Sequence, residues 1–396
     1  MPRGHYQNQP TGYRAFIPES MPPDPSVILD SEMIDLLSRA DRNLGRLDGM
    51  TLTLPNPDMF VFMYVRKEAV LSSQIEGTQA SLIDVLEYEN DIQGAKNPKD
   101  LEEVVNYISA MNTGLERLQH LPLSLRLIKE IHLALMRGVR GNEKSPGEFR
   151  TSQNWIGPPG CSLAKATHVP PPPHEMMIAL GDWEKFLHND KIHMPMLLKV
   201  GIAHAQFETI HPFLDGNGRI GRLLITFLLC EAKIMKWPSL CISHFFKEYK
   251  SEYYTRLQDT RDKGEWEGWL KFFLRGVSEV AQEATRTASR ILQVREDTQK
   301  LISGRLTRAS AGNAMALLSK LFYQPVVSVQ QVSEIIDMTY ATANYLVSDL
   351  EQIGVLKEIT GGGRNRKYAF DPYLELFADE RVETEPSVGT PSKVSG

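Results

Sequence analysis

A possible base, a carboxylate, three glycines and two arginines fall within the 12 residues His211-Pro212-Phe213-Leu214-Asp215-Gly216-Asn217-Gly218-Arg219-Ile220-Gly221-Arg222. Together these supply most of what a phosphate-handling site needs. Gly216, Gly218 and Gly221 let the backbone turn tightly and approach a ligand, and such a turn can point successive N–H groups inward as an anion nest. Arg219 and Arg222 are about one helical turn apart, so both can face one ligand, and guanidinium forks match phosphate oxygens. Asp215 is the kind of hard oxygen ligand that Mg²⁺ takes beside substrate phosphates. His211 can accept a proton near neutral pH.

The flanks must position this loop. The segment from Ile220 to Lys233 is apolar and proline-free, which predicts a buried helix starting at the loop and adding partial positive charge there. Gly216 to Gly221 also reads as GxGxxG, but a dinucleotide fingerprint needs a preceding strand within a βαβ unit. Met196 to Phe207 reads as a helix instead, which sets that reading aside.

The loop resembles, without a mismatch, the signature HPFx(D/E)GNGRxxR of the Fic family. The resemblance implies transfer of AMP from ATP to a hydroxyl side chain of a target protein. It implies that His211 deprotonates the incoming Ser, Thr or Tyr hydroxyl and that Asp215 holds Mg²⁺ on the α and β phosphates. Gly216, Asn217, Gly218, Arg219 and Gly221 then belong to the phosphate-binding loop, and Arg222 reaches the γ phosphate. Fixed donors and metal would stabilise the charge that gathers on the α-phosphoryl oxygens.

Far upstream, Ser72 and Glu76 are four apart and share a helix face, and Gly77 suits a helix C-terminus. Ser72-Ser73-Gln74-Ile75-Glu76-Gly77 resembles the inhibitory pattern (S/T)xxxE(G/N) of Fic proteins. By that resemblance Glu76 pairs with Arg222 and competes with the γ phosphate, in an inhibitory helix around 66–77. The same glutamate can also position a water for deAMPylation in some relatives.

The stretch 147–170, with β-branched and aromatic residues around Gly157 and Pro158-Pro159, predicts a hairpin. It resembles the Fic flap, which docks a target segment by strand addition; self-AMPylation is open on the same logic. Tyr253 and Tyr254 resemble an aromatic pair placed against adenine, although Arg261 stands where the pattern has an asparagine.

Composition fits this picture. Hydrophobic residues make up 42% of 396, enough for a sizeable core, and the net charge of −5 gives no general drive toward nucleic acid or an anionic membrane. Cys161, Cys230 and Cys241 form no disulfide framework or CxxC pair. With no signal-peptide pattern, a cytoplasmic location is expected. No apolar run is long enough to span a bilayer.

The expected fold is mainly α, a Fic-type helical core with a β-hairpin flap. Residues 1–25, with six prolines, read as an extended arm. Residues 26–120 read as an N-terminal helical region, 121–276 as the catalytic core and 277–305 as a connecting helix whose 4-3 spacing could seam a homodimer. Residues 306–374 resemble a winged helix-turn-helix domain, and 375–396 read as a disordered tail. Residues 310–370 hold five Lys/Arg and five Asp/Glu, and the presumed recognition helix, Thr339 to Ile353, has no Lys or Arg. Phosphate contacts need cations, so only the wing, Arg364-Asn365-Arg366-Lys367, is equipped for DNA, and protein contact is favoured. The rival reading is a DNA-binding regulator whose core only senses nucleotide. An intact His211 favours the enzyme, because sensing needs no base.

Overall fold

Two consecutive helices, one buried along almost its whole length, carry the loop that the sequence singles out. The computed structural model describes residues 4–377 apart from Thr11, Pro25, Pro55, 90–97, Asn142, Pro159 and 362–365. The chain divides into two compact units, Met1–Leu292 and Gln293–Gly396.

The first unit opens with an antiparallel hairpin of β1 (Gly4–Asn8) and β2 (Arg14–Pro18). Helices α1 (Ser31–Thr53), α2 (Pro57–Ile75), α3 (Leu82–Glu89), α4 (Pro98–Leu118) and α5 (Leu125–Leu135) follow. Next come α6 (Pro173–Leu187), α7 (Met196–Ile210), α8 (Asn217–Glu231), α9 (Ile242–Glu248) and α10 (Lys250–Asp262). The last helix, α11 (Trp266–Arg305), contains the boundary between the units. Capping follows the side chains: Asp30 accepts from Met33 N at the start of α1, and Asn56 from Asp58 N ahead of Pro57 on α2.

Helix α7 is buried from Val200 to Ile210, as a helix apolar on every side must be. Indole N–H groups of Trp183 and Trp269 donate to the α7 carbonyls of Ala203 and Gly201, both at 2.9 Å. Helix α8 packs on α7, α4, α5 and α2. Gly114 permits the α4 contact, because a Cβ there would lie 2.3 Å from the Phe227 ring. Burying a side chain of this size contributes about 1.5–3 kcal/mol.

Helix α2 packs on α4, α8 and α9 and buries several polar side chains, most of them paired. Glu68 accepts from Ser243 N at 3.0 Å, Ser243 Oγ at 2.5 Å and the Tyr107 hydroxyl at 3.2 Å. Lys67 and His244 both meet Glu283 of α11, at 2.9 and 2.8 Å. Lys250 Nζ closes the helix end on the Ile75 carbonyl at 2.6 Å. These contacts fix the register of α2 and so the place of its C-terminal cap, Glu76.

The second unit holds α12 (Arg308–Leu321), β3 (Val326–Ser328), α13 (Val329–Ile335), α14 (Tyr340–Gln352), β4 (Lys357–Glu358), β5 (Lys367–Ala369) and α15 (Asp371–Leu374). Its antiparallel sheet has the order β3-β5-β4, with Ala369 opposite both Val326 and Lys357. Phe322, Phe370, Tyr373 and Phe377 pack edge-on or stacked in its core.

Four expectations change. The proline-rich arm at 1–25 contains the β1–β2 hairpin, with Ala15 and Phe16 buried, because its Tyr and Phe alternate with polar residues around a Gly12 turn. Among the described residues, the flap at 147–170 has one bridge, Ile156 to His168, rather than two regular strands; Gly157, Pro158 and the Pro170–Pro173 run interrupt pairing. The connecting helix begins at Trp266, well before 277. The tail begins later than 375, since Leu376 and Phe377 are buried in a 3₁₀ turn; 378–396 lie outside the described residues, as do Arg364 and Asn365 of the wing.

Candidate functional site

The loop 211–216 is a tight passage from α7 to α8. His211 caps α7 in the left-handed region, φ 49°, and its N–H returns to Phe207 O at 2.9 Å. Gly216 also turns left-handed, φ 76°, where a glycine is favoured. Asn217 closes the turn on itself: its amide accepts from Phe213 N and donates to Phe213 O, each at 2.8 Å. No side chain caps α8, so its first amides face the loop as an anion site.

Neighbouring elements hold the loop from outside. Arg150 Nε donates to His211 O at 3.0 Å, and its Nη2 donates to Pro171 O at 2.5 Å and Ile210 O at 3.4 Å. Asn154 Nδ2 donates to Phe213 O at 2.8 Å and His211 O at 3.2 Å. His132 stacks on Phe213 at 3.7 Å, accepts from Gly147 N, and donates from Nε2 to Asp215 O at 3.1 Å. Burial pushes His132 down to about 4, so it stays neutral in this role.

The arginines diverge. Arg219 is buried, 3.3 Å from Glu103 and 3.8 Å from Asp215. Arg222 reaches α2 instead. Its Nε donates to Ser72 Oγ at 2.8 Å, and its Nη2 to Ser72 O at 2.9 Å and Glu76 Oε1 at 2.8 Å. Gly218 makes room, since a Cβ there would lie 2.4 Å from Glu76 Oε1. A carboxylate therefore lies against the first turn of α8. Burial alone would raise the Glu76 carboxyl, but Arg222, Arg219 and His211 outweigh it and hold it below the ordinary range. Gly77 follows in the left-handed region, φ 106°.

Gly221, expected among the phosphate-binding residues, faces α7. A Cβ there would lie 2.2 Å from Glu208 Oε1, and its carbonyl accepts from His204 Nδ1 at 2.8 Å. Tyr253 is buried, donates to His204 Nε2 at 2.9 Å and stacks on Phe246. It is a core residue, which leaves Tyr254, 44% exposed, as the ring available to a base. Arg261 is buried on Thr209 Oγ1 at 3.2 Å.

Asp215 Oδ2 meets Lys144 at 2.9 Å and Oδ1 accepts from Gly216 N at 2.7 Å. Burial would raise this carboxyl; Lys144, the Gly216 amide and Arg219 hold it low. Among the described residues no three His, Cys, Asp or Glu gather as a metal cluster. One half-buried carboxylate beside an anion-binding helix end fits Mg²⁺ carried in with substrate phosphates, not a cation held by protein alone.

His132, Lys144, Arg150, Asn154 and Glu208 went unnoticed in the sequence. His132 and Lys144 are brought to the loop by tertiary folding; Arg150 and Asn154 lie within the 147–170 stretch and Glu208 three residues before His211, but nothing in their local pattern marks what they face.

Fold and site define a helical protein that sets a histidine beside a tight turn into a helix N-terminus. Residues 34–116 match the Fic/DOC family N-terminal domain and residues 122–229 match the Fic/DOC family domain. The chain therefore carries both Fic/DOC family domains in succession. It is 28% identical over 249 residues to a protein adenylyltransferase Fic of Drosophila mojavensis, covering 62% of this chain and 44% of that one. It is 32% identical over 161 residues to the Aedes aegypti protein of the same name, covering 40% and 28%. The chain thus spans under half the length of these relatives. A Fic family protein from Desulfovibrio desulfuricans has a similar fold, with a TM-score of 0.58 at 20% identity, over 87% of this chain and 97% of that one.

Proposed function

We propose that this protein transfers AMP from ATP to a Ser, Thr or Tyr hydroxyl of a protein, and that Glu76 restrains the reaction. The observation that carries this reading is the Glu76 carboxylate on Arg222, against the α8 N-terminus and over Gly218. A carboxylate there occupies ground suited to a phosphate. The adenylyltransferase names of the relatives supply the reaction.

In this account the target hydroxyl oxygen attacks the α phosphorus and the bond to the β-phosphate bridging oxygen breaks. Pyrophosphate leaves with that electron pair, and the hydroxyl proton goes to His211 Nε2. Burial, with Arg150 and Arg261, pushes His211 down to about 3, so it stands neutral and ready to accept. Amides of Gly216, Asn217 and Gly218 and the Arg219 guanidinium bind the phosphates, while Arg222 takes the γ phosphate once Glu76 leaves. Asp215, paired here with Lys144, would hold Mg²⁺, which would supply neutralisation of phosphate charge. Tyr254 faces adenine, and the 147–170 segment docks the target, or this chain itself. Glu76 is ionised beside the same cradle, so it also suits positioning a water that removes AMP.

For the second unit we propose a winged-helix domain, from its element order and its β3-β5-β4 sheet. Helix α14 exposes Tyr340 and Tyr345 and carries no Lys or Arg, which favours a protein partner over DNA. The proposed boundaries are a region of 26–120, a core of 121–276 and a C-terminal domain from 306 to at least 377. Among the described residues no helix is long and apolar enough to cross a membrane.

The deciding experiment compares α-labelled with γ-labelled ATP, using Glu76→Gly and Glu76→Gly/His211→Ala. Protein labelling from the α label alone, lost without His211, is expected. Labelling from the γ label would mean phosphate transfer and would defeat the reading.

A further inference from the structure

Glu208 stands behind the base. It lies on the last turn of α7, three residues before His211, and is buried. Its Oε2 is 3.9 Å from His211 Nδ1. Among the described residues, buried Glu208 Oε1 lacks a hydrogen-bond partner, and His211 Nδ1 has none of good geometry, although the Glu208 backbone carbonyl acts on the ring. Gly221 of α8 provides the space, since a Cβ there would collide with the carboxyl. A buried polar group left without a partner is costly. Two such groups, a small rotation apart, complete one another.

The surrounding charges are Arg222 from α8, Glu76 at the end of α2 and Arg261 from α10. Tyr253 of α10 and His204 of α7 flank the carboxyl, and Arg150 faces the imidazole. The chemistry calls for a carboxylate. Burial, Arg150 and Arg261 make His211 a weak base, only partly offset by the Glu208 carbonyl, and a weak base holds a proton poorly in a transition state. Burial also pushes the Glu208 carboxyl up, to about 7, so it ionises near neutrality.

We propose that Glu208 is a positioning residue for the base: its carboxylate closes on His211 Nδ1–H, fixes the tautomer with Nε2 free, and stabilises the imidazolium formed at proton transfer. The proton passes from the target hydroxyl to Nε2. The Nδ1 proton stays on the ring, and Glu208 takes up none. The catalytic consequence rests on the proposed AMP transfer; the pairing itself does not.

Two measurements separate these. In the full chain with ¹⁵N-labelled histidine, the His211 ring signals should show the Nδ1–H tautomer and a step near pH 7, at about the Glu208 value. Glu208→Gln should abolish that step. An unchanged His211 titration in Glu208→Gln overturns the pairing, whatever the reaction. In the Glu76→Gly background, AMP labelling should rise through about pH 7. Adding Glu208→Gln should remove that limb and cut kcat roughly tenfold or more, with the KM for ATP little changed and partial rescue by Glu208→Asp. An unaltered limb and kcat overturn the catalytic role. No labelling in Glu76→Gly would instead count against the proposed function and leave the NMR result to decide the pairing.

Discussion

Arg222 and Glu76 stand 146 positions apart in the chain and meet at 2.8 Å, with the arginine 1% and the carboxylate 33% exposed. The asymmetry matters. Stripping the partner from a buried charge costs about 3–5 kcal/mol, so Arg222 is poorly served by simple opening. Another anion in the same place removes that cost. Under the proposed function, a phosphate of ATP would be that substitute.

Ser72→Ala tests the rest of the clasp. It removes the 2.8 Å bond from Arg222 Nε and leaves a buried donor unpaired. A loss of about 1–2 kcal/mol is expected, read as a fall in Tm of about 2–4 °C, with partial release of AMP transfer. An unchanged Tm and rate would remove Ser72 from the clasp.

Arg150→Met tests how the base is held. The change strips donors from the carbonyls of His211, Ser152, Pro171 and Ile210. With bonds to a charged group worth about 1.5–3 kcal/mol each, folding should weaken by several kcal/mol in denaturant melts. Preserved stability would contradict the hydrogen-bonding account of the loop.

Gly221→Ala tests the assignment of that glycine to packing. Its Cβ would sit 2.2 Å from Glu208 Oε1 and 3.3 Å from His204 Cε1. Overpacking should cost about 1–3 kcal/mol, seen as a lower denaturant midpoint. A neutral substitution would mean that α7 and α8 are not in fixed contact there.

The pH dependence of the restraint follows from Glu76. Its carboxyl is held below the ordinary range despite burial, chiefly by Arg222. A depressed carboxyl contributes stability above its unfolded value, lost only as pH falls through the folded one. The ratio of Glu76→Gly to wild-type rates should therefore stay constant from about pH 6 to pH 8. A ratio that collapses within that window would place the titration elsewhere.

The loop was legible because its groups are contiguous: Asp215, Gly216 and Arg219 lie within five residues, and one backbone turn gathers them. The Glu76–Arg222 contact was legible only through family resemblance, since nothing local ties Glu76 to a partner on α8. Glu208 and Arg150 acquire meaning only from what folding brings beside them. Helix α7 was readable because its apolar run is long, whereas the three residues of β3 are too few to show a period. Only the start of α13 after the strand carries a local signal, the capping box of Ser328 and Gln331. Tyr253 and Tyr254 share a helix, and only its packing separates the buried ring from the exposed one.

The most direct test is the initial rate of protein labelling from α-labelled ATP for wild type and Glu76→Gly at matched concentration. With the carboxylate gone from Arg222, the rate should rise at least about tenfold, the effect of 1.4 kcal/mol. Equal rates, with both proteins folded and binding ATP, would contradict the account.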